Sequence, residues 1–156
     1  FFVYLIYFGA VILPWLMVLG LFVVLAFRWR EVRVWRWVFL SLFSALSAWF
    51  LVSLFKYNFP SPRPFEVLDN LKPLFATGKG DAFPSGHATF LGALAFSFFF
   101  SRPKLGFLFV FGAILVALCR VLAFVHWPID VLVGLLFGFI FSLILHLFLV
   151  KYWHYE

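Results

Sequence analysis

FFVYLIYFGAVILPWLMVLGLFVVLAF, residues 1–27, contains no charged side chain. A helix needs roughly 20 apolar residues to cross the hydrocarbon core of a bilayer, so this stretch is long enough for one span. Four further apolar stretches follow, at residues 37–57, 87–101, 105–125 and 129–150. The stretch at 87–101 is short, and we expect it to begin inside the protein or in the headgroup layer. The pattern predicts about five transmembrane helices.

The composition excludes a soluble domain. Apolar residues make up 66% of the chain, and the mean hydropathy is +1.11, both far above the values of soluble proteins. A transmembrane β-barrel requires short segments in which apolar and polar residues alternate, and no segment here alternates. Because backbone N–H and C=O groups in lipid must form hydrogen bonds within each segment, α-helices are the remaining possibility for these spans. We therefore predict an all-α fold, a polytopic membrane helical bundle, with residues 1–156 as a single integral-membrane domain.

The positive charge of the chain indicates orientation in a membrane. The net charge is +6, and four arginines lie in RWREVRVWR at residues 28–36. Seven Lys and Arg residues fall on the side of this run and five on the other side, so the run is expected to face the cytoplasm. Its tryptophans are typical of a membrane interface. The charge is explained by lipid headgroups and topology, and it does not indicate nucleic acid.

Ionisable and polar residues near membrane segments are costly and usually functional. Here they form three clusters, each at a segment end, and the five-helix topology places all three on the side opposite the arginine run. The clusters are Lys56 with Arg63 in KYNFPSPRP, PSGH at residues 84–87, and Arg120, His126 and Asp130 in CRVLAFVHWPID. Three segment ends on one surface can build a single site.

The charges in these clusters predict an anionic ligand. Lys56, Arg63 and Arg120 would repel one another unless an anion lay between them, and the arginine guanidinium matches the paired oxygens of phosphate. Ser85 stands at a helix start, where backbone N–H groups and the helix dipole favour an anion. Gly86 lets that anion approach the backbone closely. We therefore expect these five residues to bind phosphate.

Two histidines supply candidate chemistry. His126 and Asp130 are four residues apart, so Asp130 can orient one ring nitrogen and leave the other free to attack phosphorus. His87 can then protonate the leaving oxygen, because a histidine with a pKa near 6.5 serves as an acid or a base near neutral pH.

Three alternatives remain open at this point. His87, His126, Asp81 and Asp130 are acceptable zinc ligands, although three nearby cations argue against a metal. Ser85 could act as a nucleophile with His87 as its base, although a spacing of two residues at a helix start is poor geometry for that hydrogen bond. The same basic pocket would also serve a non-catalytic membrane protein that binds or transports a lipid phosphate.

The three clusters resemble the tripartite signature of the type-2 phosphatidic acid phosphatase superfamily. K-x6-R-P matches Lys56 to Pro64, P-S-G-H matches residues 84–87, and S-R-x5-H-x3-D matches the third cluster, so the resemblance covers a motif-bearing core at 56–130. It implies a phosphatase that needs no metal or other cofactor and works through a phosphohistidine. By carry-over the catalytic residues are His126 as nucleophile, Asp130 as its partner and His87 as general acid. The phosphate-binding residues implied are Lys56, Arg63, Ser85, Gly86 and Arg120.

One position departs from that signature. Cys119 stands where the family usually has serine, and because a thiol is a weaker donor than a hydroxyl we do not count it among the site residues.

The resemblance also implies a substrate and a location. Membrane members of this superfamily act on lipid phosphates and diphosphates, so the expected partners are such a lipid and the bilayer, and no nucleic acid. The chain is similar to small bacterial undecaprenyl diphosphate phosphatases, which makes undecaprenyl diphosphate the first candidate. Phosphatidylglycerophosphate and phosphatidic acid remain alternatives. We expect a bacterial inner membrane with the site facing the periplasm or the outside. The sequence leaves oligomerisation open.

Overall fold

The computed structural model describes residues 1–75 and 78–153, and it describes residues 150–153 by their backbone alone. Over these residues the chain forms seven α-helices and one π-helical turn, Phe8–Ile12. The helices are α1 (Phe2–Tyr7), α2 (Leu13–Phe27), α3 (Val32–Asn58), α4 (Pro64–Val67), α5 (Gly86–Ser101), α6 (Pro103–Leu122) and α7 (Pro128–Trp153).

The helical membrane bundle expected from the sequence is confirmed. Four helical stretches are long and apolar enough to cross a bilayer, namely Phe2–Phe27, Val32–Asn58, Pro103–Leu122 and Pro128–Leu149, and α5 is the shorter apolar helix. Large apolar side chains point outward along these spans; Trp15, for example, is 74% exposed. In water such a surface would be unfavourable, whereas in a bilayer it contacts lipid.

The short helix α5 lies at the centre of the bundle. It packs against α3, α6 and α7, and nine of its residues, from Ala88 to Phe98, are buried. Its 16 residues reach only about 24 Å at 1.5 Å per residue, which is less than the roughly 30 Å hydrocarbon core. Because protein surrounds α5 on several sides, its ends do not have to reach the membrane surface.

Two glycines bring α7 against α5. A Cβ atom at Gly138 would lie 2.5 Å from the backbone nitrogen of Ala93, and one at Gly134 would lie 2.7 Å from the carbonyl oxygen of Ser85. Backbone atoms cannot rotate away as a side chain can, so both positions require glycine for this separation of the helices. The contact fixes the start of α5, which carries the PSGH residues, against the start of α7.

Segment boundaries differ from the prediction in two places. The predicted span 105–125 ends early, because α6 stops at Leu122 and Phe124 adopts a positive φ of 59°, which a continuing helix does not allow. The predicted span 37–57 begins late, because α3 starts at Val32. Arginine side chains extend to the interface while their backbone stays helical, so α3 includes Arg33 and Arg36 from the second half of the arginine run.

Candidate active site

The helix ends at one end of the bundle carry all the residues singled out by the sequence. Lys56 lies in the last turn of α3, and Arg63 immediately precedes α4. Ser85 caps α5, with Gly86 and His87 in its first turn. Arg120 lies in the last turn of α6, His126 in the α6–α7 connection and Asp130 in the first turn of α7.

Hydrogen bonds between these ends hold the three clusters together. Ser85 donates its backbone N–H to the carbonyl of Asp130 at 2.9 Å, which joins the second cluster to the third. Arg63 donates through Nη1 to the carbonyl of Val125 at 2.9 Å, which joins the first to the third. The indole Nε1 of Trp127 donates to the carbonyl of Pro62 at 3.1 Å, a second link of the same kind.

Arg63 is buried and held by an acidic partner. It is 4% exposed, and its Nε and Nη2 donate to the same oxygen of Asp81 at 2.9 and 2.7 Å. Lys56 donates through Nζ to the backbone carbonyl of Asp81 at 2.7 Å. Burial alone would raise the pKa of Asp81, but its hydrogen bond and ion pair with Arg63, and the nearby charge of Lys56, lower that pKa below its ordinary value. Asp81 is therefore ionised and holds Arg63 with its carboxylate, while its backbone carbonyl holds Lys56.

Arg120 is held from the opposite side of the site. It is 5% exposed, its Nη1 donates to the carbonyl of Ala10 at 3.3 Å, and its guanidinium lies 5.7 Å from the centroid of the Phe75 ring. Its Nε is buried and has no hydrogen-bond partner within the described residues. Buried donors without a partner are rare in folded proteins, and an anionic ligand would satisfy this one.

Cys119 packs against the π-helical turn Phe8–Ile12. Gly9, within that turn, packs so closely on Cys119 that an added Cβ would collide with Sγ. The thiol thus contacts the N-terminal helical stretch, while the neighbouring Arg120 reaches Ala10 in the same turn. Cysteine at this position serves the packing of α6 on the first span.

His126 and Asp130 form a buried pair. They are 2% and 1% exposed, and Nδ1 of His126 lies 3.5 Å from Oδ2 of Asp130. The same Oδ2 accepts a hydrogen bond from the backbone N–H of Trp127 at 2.8 Å. Burial lowers the pKa of His126 to about 4; Asp130 acts against this shift, and the charges of Arg120, Arg63 and Lys56 add to it. Its imidazole is therefore neutral at neutral pH, as a nucleophile must be.

His87 lies at the mouth of the site. Its side chain is exposed, and Arg120, His126, Lys56 and Arg63 are all within electrostatic range of it. His87 also lines a groove of about 320 Å³ between α2, α3 and α5, whose other walls include Trp15, Val18, Leu46, Trp49 and Phe90. The polar site thus opens sideways onto an apolar groove.

Gly86 leaves space beside the lysine. A Cβ atom there would lie 4.0 Å from Nζ of Lys56 and 3.4 Å from the Trp49 indole. The bare backbone at the start of α5 therefore faces a cation, an arrangement that suits a bound oxyanion.

Sequence reasoning missed three residues that organise the site. Asp81, a possible zinc ligand by residue type, instead pairs with Arg63. Glu66 accepts from the backbone N–H groups of Arg63 and Gly80, and these bonds lower its pKa. Trp127 reaches Pro62. Glu66 and Asp81 both follow Arg63 in the connection between α3 and α5, and their negative charge beside a basic cluster was the available signal.

The zinc alternative finds no geometric support in the described part of the chain. Across residues 1–75 and 78–153, no group of three or more His, Cys, Asp and Glu side chains is arranged to hold a metal ion.

This constellation can be compared with known proteins. The family model of the PAP2 superfamily matches residues 37–154, which include all three clusters. The chain belongs to the PAP2 superfamily. The resemblance inferred from the motifs is thereby confirmed.

Individual PAP2 relatives are similar over part of their length. The chain is 34% identical over 106 residues to the lipid A 1-phosphatase of Rhizobium johnstonii, covering 65% of this chain and 43% of that protein. It is 34% identical over 84 residues to the undecaprenyl-diphosphatase of Sulfolobus acidocaldarius, covering 53% and 41%. The chain thus aligns with about two fifths of each of these relatives.

A solved structure resembles the chain over most of its length. The crystal structure of Aquifex aeolicus LpxE superposes with a TM-score of 0.65 at 28% identity, covering 92% of this chain and 82% of that one. At this coverage the likeness extends into residues 1–36, which lie outside the family match.

Proposed function

We propose that this protein is a membrane lipid phosphatase that removes a phosphoryl group through a covalent intermediate on His126. The observation that carries the proposal is the position of His87, which faces the same three cations as His126 and also lines the apolar groove. A phosphate between the cations would then be attached to a lipid chain in the groove.

The first step is attack on phosphorus by Nε2 of His126. Its lone pair forms the P–N bond while the bond from phosphorus to the leaving oxygen breaks. His87 delivers a proton to that oxygen, and it holds this proton because the negative charge of the bound phosphate offsets the three cations that otherwise favour a neutral ring. Asp130, beside Nδ1, stabilises the positive charge that develops on the ring. Arg63, Arg120 and Lys56 stabilise the phosphoryl oxygens, whose charge is redistributed in the transition state.

The second step releases phosphate. His87, now neutral, takes a proton from water, and the water oxygen attacks phosphorus as the P–N bond breaks. The electron pair returns to Nε2 of His126, which restores the starting state. These steps use only groups of this chain and water.

Undecaprenyl diphosphate is our first candidate substrate, which we infer from the motif resemblance and from the similarity to an undecaprenyl-diphosphatase. The similarity to a lipid A 1-phosphatase supports a phosphorylated glycolipid as the second candidate. Phosphatidylglycerophosphate and phosphatidic acid carry the same headgroup chemistry. We infer a bacterial inner membrane location from the motif resemblance alone. The arginine run at the opposite end of the bundle supports an active site that faces the periplasm or the outside.

The test measures phosphate release by purified protein in detergent with EDTA present. Undecaprenyl diphosphate, a lipid A 1-phosphate, phosphatidylglycerophosphate and phosphatidic acid are compared at equal mole fraction in the micelle. His126→Ala removes the nucleophile, and His146→Gln, remote from the site, is the matched control. We expect release by the parent and the control, and none by His126→Ala.

Other outcomes would reject parts of the proposal. Equal release by His126→Ala would reject the histidine mechanism. Tight binding of all four lipids by the parent without release would instead support the non-catalytic binder or transporter.

A further inference from the structure

A second cavity lies at the arginine-rich end of the bundle, away from the candidate active site. It has a volume of about 590 Å³, within the range of small-molecule sites. Trp37 lines it, and Trp37 is 19 residues from Lys56 along α3, which corresponds to about 28 Å of helix. This cavity is therefore separate from the catalytic residues.

The cavity has a basic mouth and apolar walls. Arg28, Arg102 and Lys104 supply three positive charges, and Val24, Trp37 and Leu105 form the accessible apolar wall. Arg102 is held in place because its guanidinium lies 4.0 Å from the centroid of the Trp37 ring, a cation–π contact. The side chains come from α2, α3, α5 and α6 or the residues next to them.

Glu31 neutralises only part of this charge. It lies 3.2 Å from Arg28 and 3.9 Å from Arg102, so one carboxylate serves two guanidinium groups. An excess of two positive charges remains at the mouth. All of these groups stand at helix ends, at the level where a bilayer presents its headgroups.

Charge and shape together select one class of ligand. A phosphate ester at the mouth would receive charge-assisted hydrogen bonds from arginine and lysine. A soluble anion would gain nothing from the apolar wall, and a zwitterionic lipid brings no net charge to offset the excess. We propose that this cavity binds an anionic phospholipid from the leaflet opposite the active site. The headgroup lies at Arg28, Arg102 and Lys104, and an acyl chain lies against Val24 and Leu105.

The experiment counts bound lipid by native mass spectrometry. Delipidated protein in detergent is titrated with phosphatidylglycerol, and separately with phosphatidylcholine and with soluble glycerol 3-phosphate. Arg28→Gln/Lys104→Gln alters the cavity mouth, and Arg30→Gln/Arg33→Gln removes the same charge from the same end outside the cavity. Chromatographic elution and phosphatase turnover report that each double variant remains folded.

We expect phosphatidylglycerol to bind roughly tenfold or more tightly than phosphatidylcholine, since each basic side chain near a surface adds to anionic lipid binding. The cavity variant should lose roughly tenfold in affinity for phosphatidylglycerol, while the control changes by less than about threefold.

Three results would overturn the proposal. Equal losses in the two variants would show diffuse attraction to the whole end. Equal binding of the two phospholipids would show that charge does not select the ligand. Equal affinity for glycerol 3-phosphate would show that the apolar wall contributes nothing.

Discussion

The protonation state of His126 decides whether this residue can act as a nucleophile. Burial and three neighbouring cations lower its pKa to about 4, compared with about 6.5 for an unperturbed histidine. The ring should therefore be neutral above about pH 5 and become charged only as the pH falls through about 4. Titration of ¹⁵N-labelled protein by NMR, with the His126 signal assigned from its loss in His126→Ala, measures this. A midpoint near 6.5 would contradict the structure.

Asp81 is expected to act through Arg63. Its carboxylate accepts two hydrogen bonds from the guanidinium, and loss of a charged hydrogen-bond partner costs about 1.5–3 kcal/mol. Asp81→Asn should therefore lower kcat/KM by roughly ten- to a hundredfold, mainly through KM, because Arg63 would no longer be held toward the phosphate.

A double-mutant cycle separates this effect from a general structural one. In an Arg63→Ala background, Asp81→Asn should have little further effect, since its partner is gone. Asp69→Asn, at an exposed position in the same connection, is the control and should leave kcat/KM unchanged. Additive effects of Asp81→Asn and Arg63→Ala would show that the two residues act independently.

The site residues differ in how well the sequence predicts them. Lys56, Arg63, His87, Arg120, His126 and Asp130 stand out because charged and polar groups are rare in so apolar a chain, and the fold brings them to one end. The contacts of Arg63 with the Val125 carbonyl and of Arg120 with the Ala10 carbonyl could not be predicted. Every residue has a carbonyl group, and only the packed structure determines which one an arginine reaches.

At the scale of helices, the α5–α7 contact should be the most sensitive to added volume. Gly138→Ala would place a methyl group 2.5 Å from the Ala93 nitrogen, and such overpacking costs about 1–3 kcal/mol. Gly20→Ala is the control, because its methyl group would meet only the Phe109 side chain at 3.4 Å and alanine favours the helix. Thermal unfolding in detergent should show a lower midpoint for Gly138→Ala alone. Equal midpoints would contradict the packing.

The positions of the helices could be predicted from the lengths of the apolar stretches in the sequence, whereas the residues at which the helices begin and end could not. Hydropathy locates the part of a helix that is in contact with lipid, so it missed the arginine-containing first turn of α3 and extended α6 past Leu122. It also gave no sign of the π-helical turn Phe8–Ile12, because that turn is as apolar as the helices on either side. The turn is visible only in the tertiary structure, where Gly9 packs against Cys119 and the carbonyl of Ala10 accepts a hydrogen bond from Arg120.

At the scale of the whole molecule, the groove beside His87 should make turnover depend on the lipid chain. Each buried methylene contributes about 0.8 kcal/mol, so kcat/KM for farnesyl diphosphate should exceed that for isopentenyl diphosphate by at least about tenfold. Trp49→Ala, which opens a groove wall, should reduce this ratio. Trp35→Ala, at the other end of α3, should preserve it. A ratio near one in the parent protein would mean that the groove does not bind the chain.

Trapping the covalent intermediate shows whether the phosphoryl group passes through His126. The protein is mixed with substrate labelled in the phosphate, quenched in alkali, in which phosphohistidine survives, and digested for peptide mapping. We predict label on the peptide that contains His126, formed at least as fast as turnover and absent in His126→Ala. Label on another residue, or full turnover by His126→Ala, would contradict the mechanism.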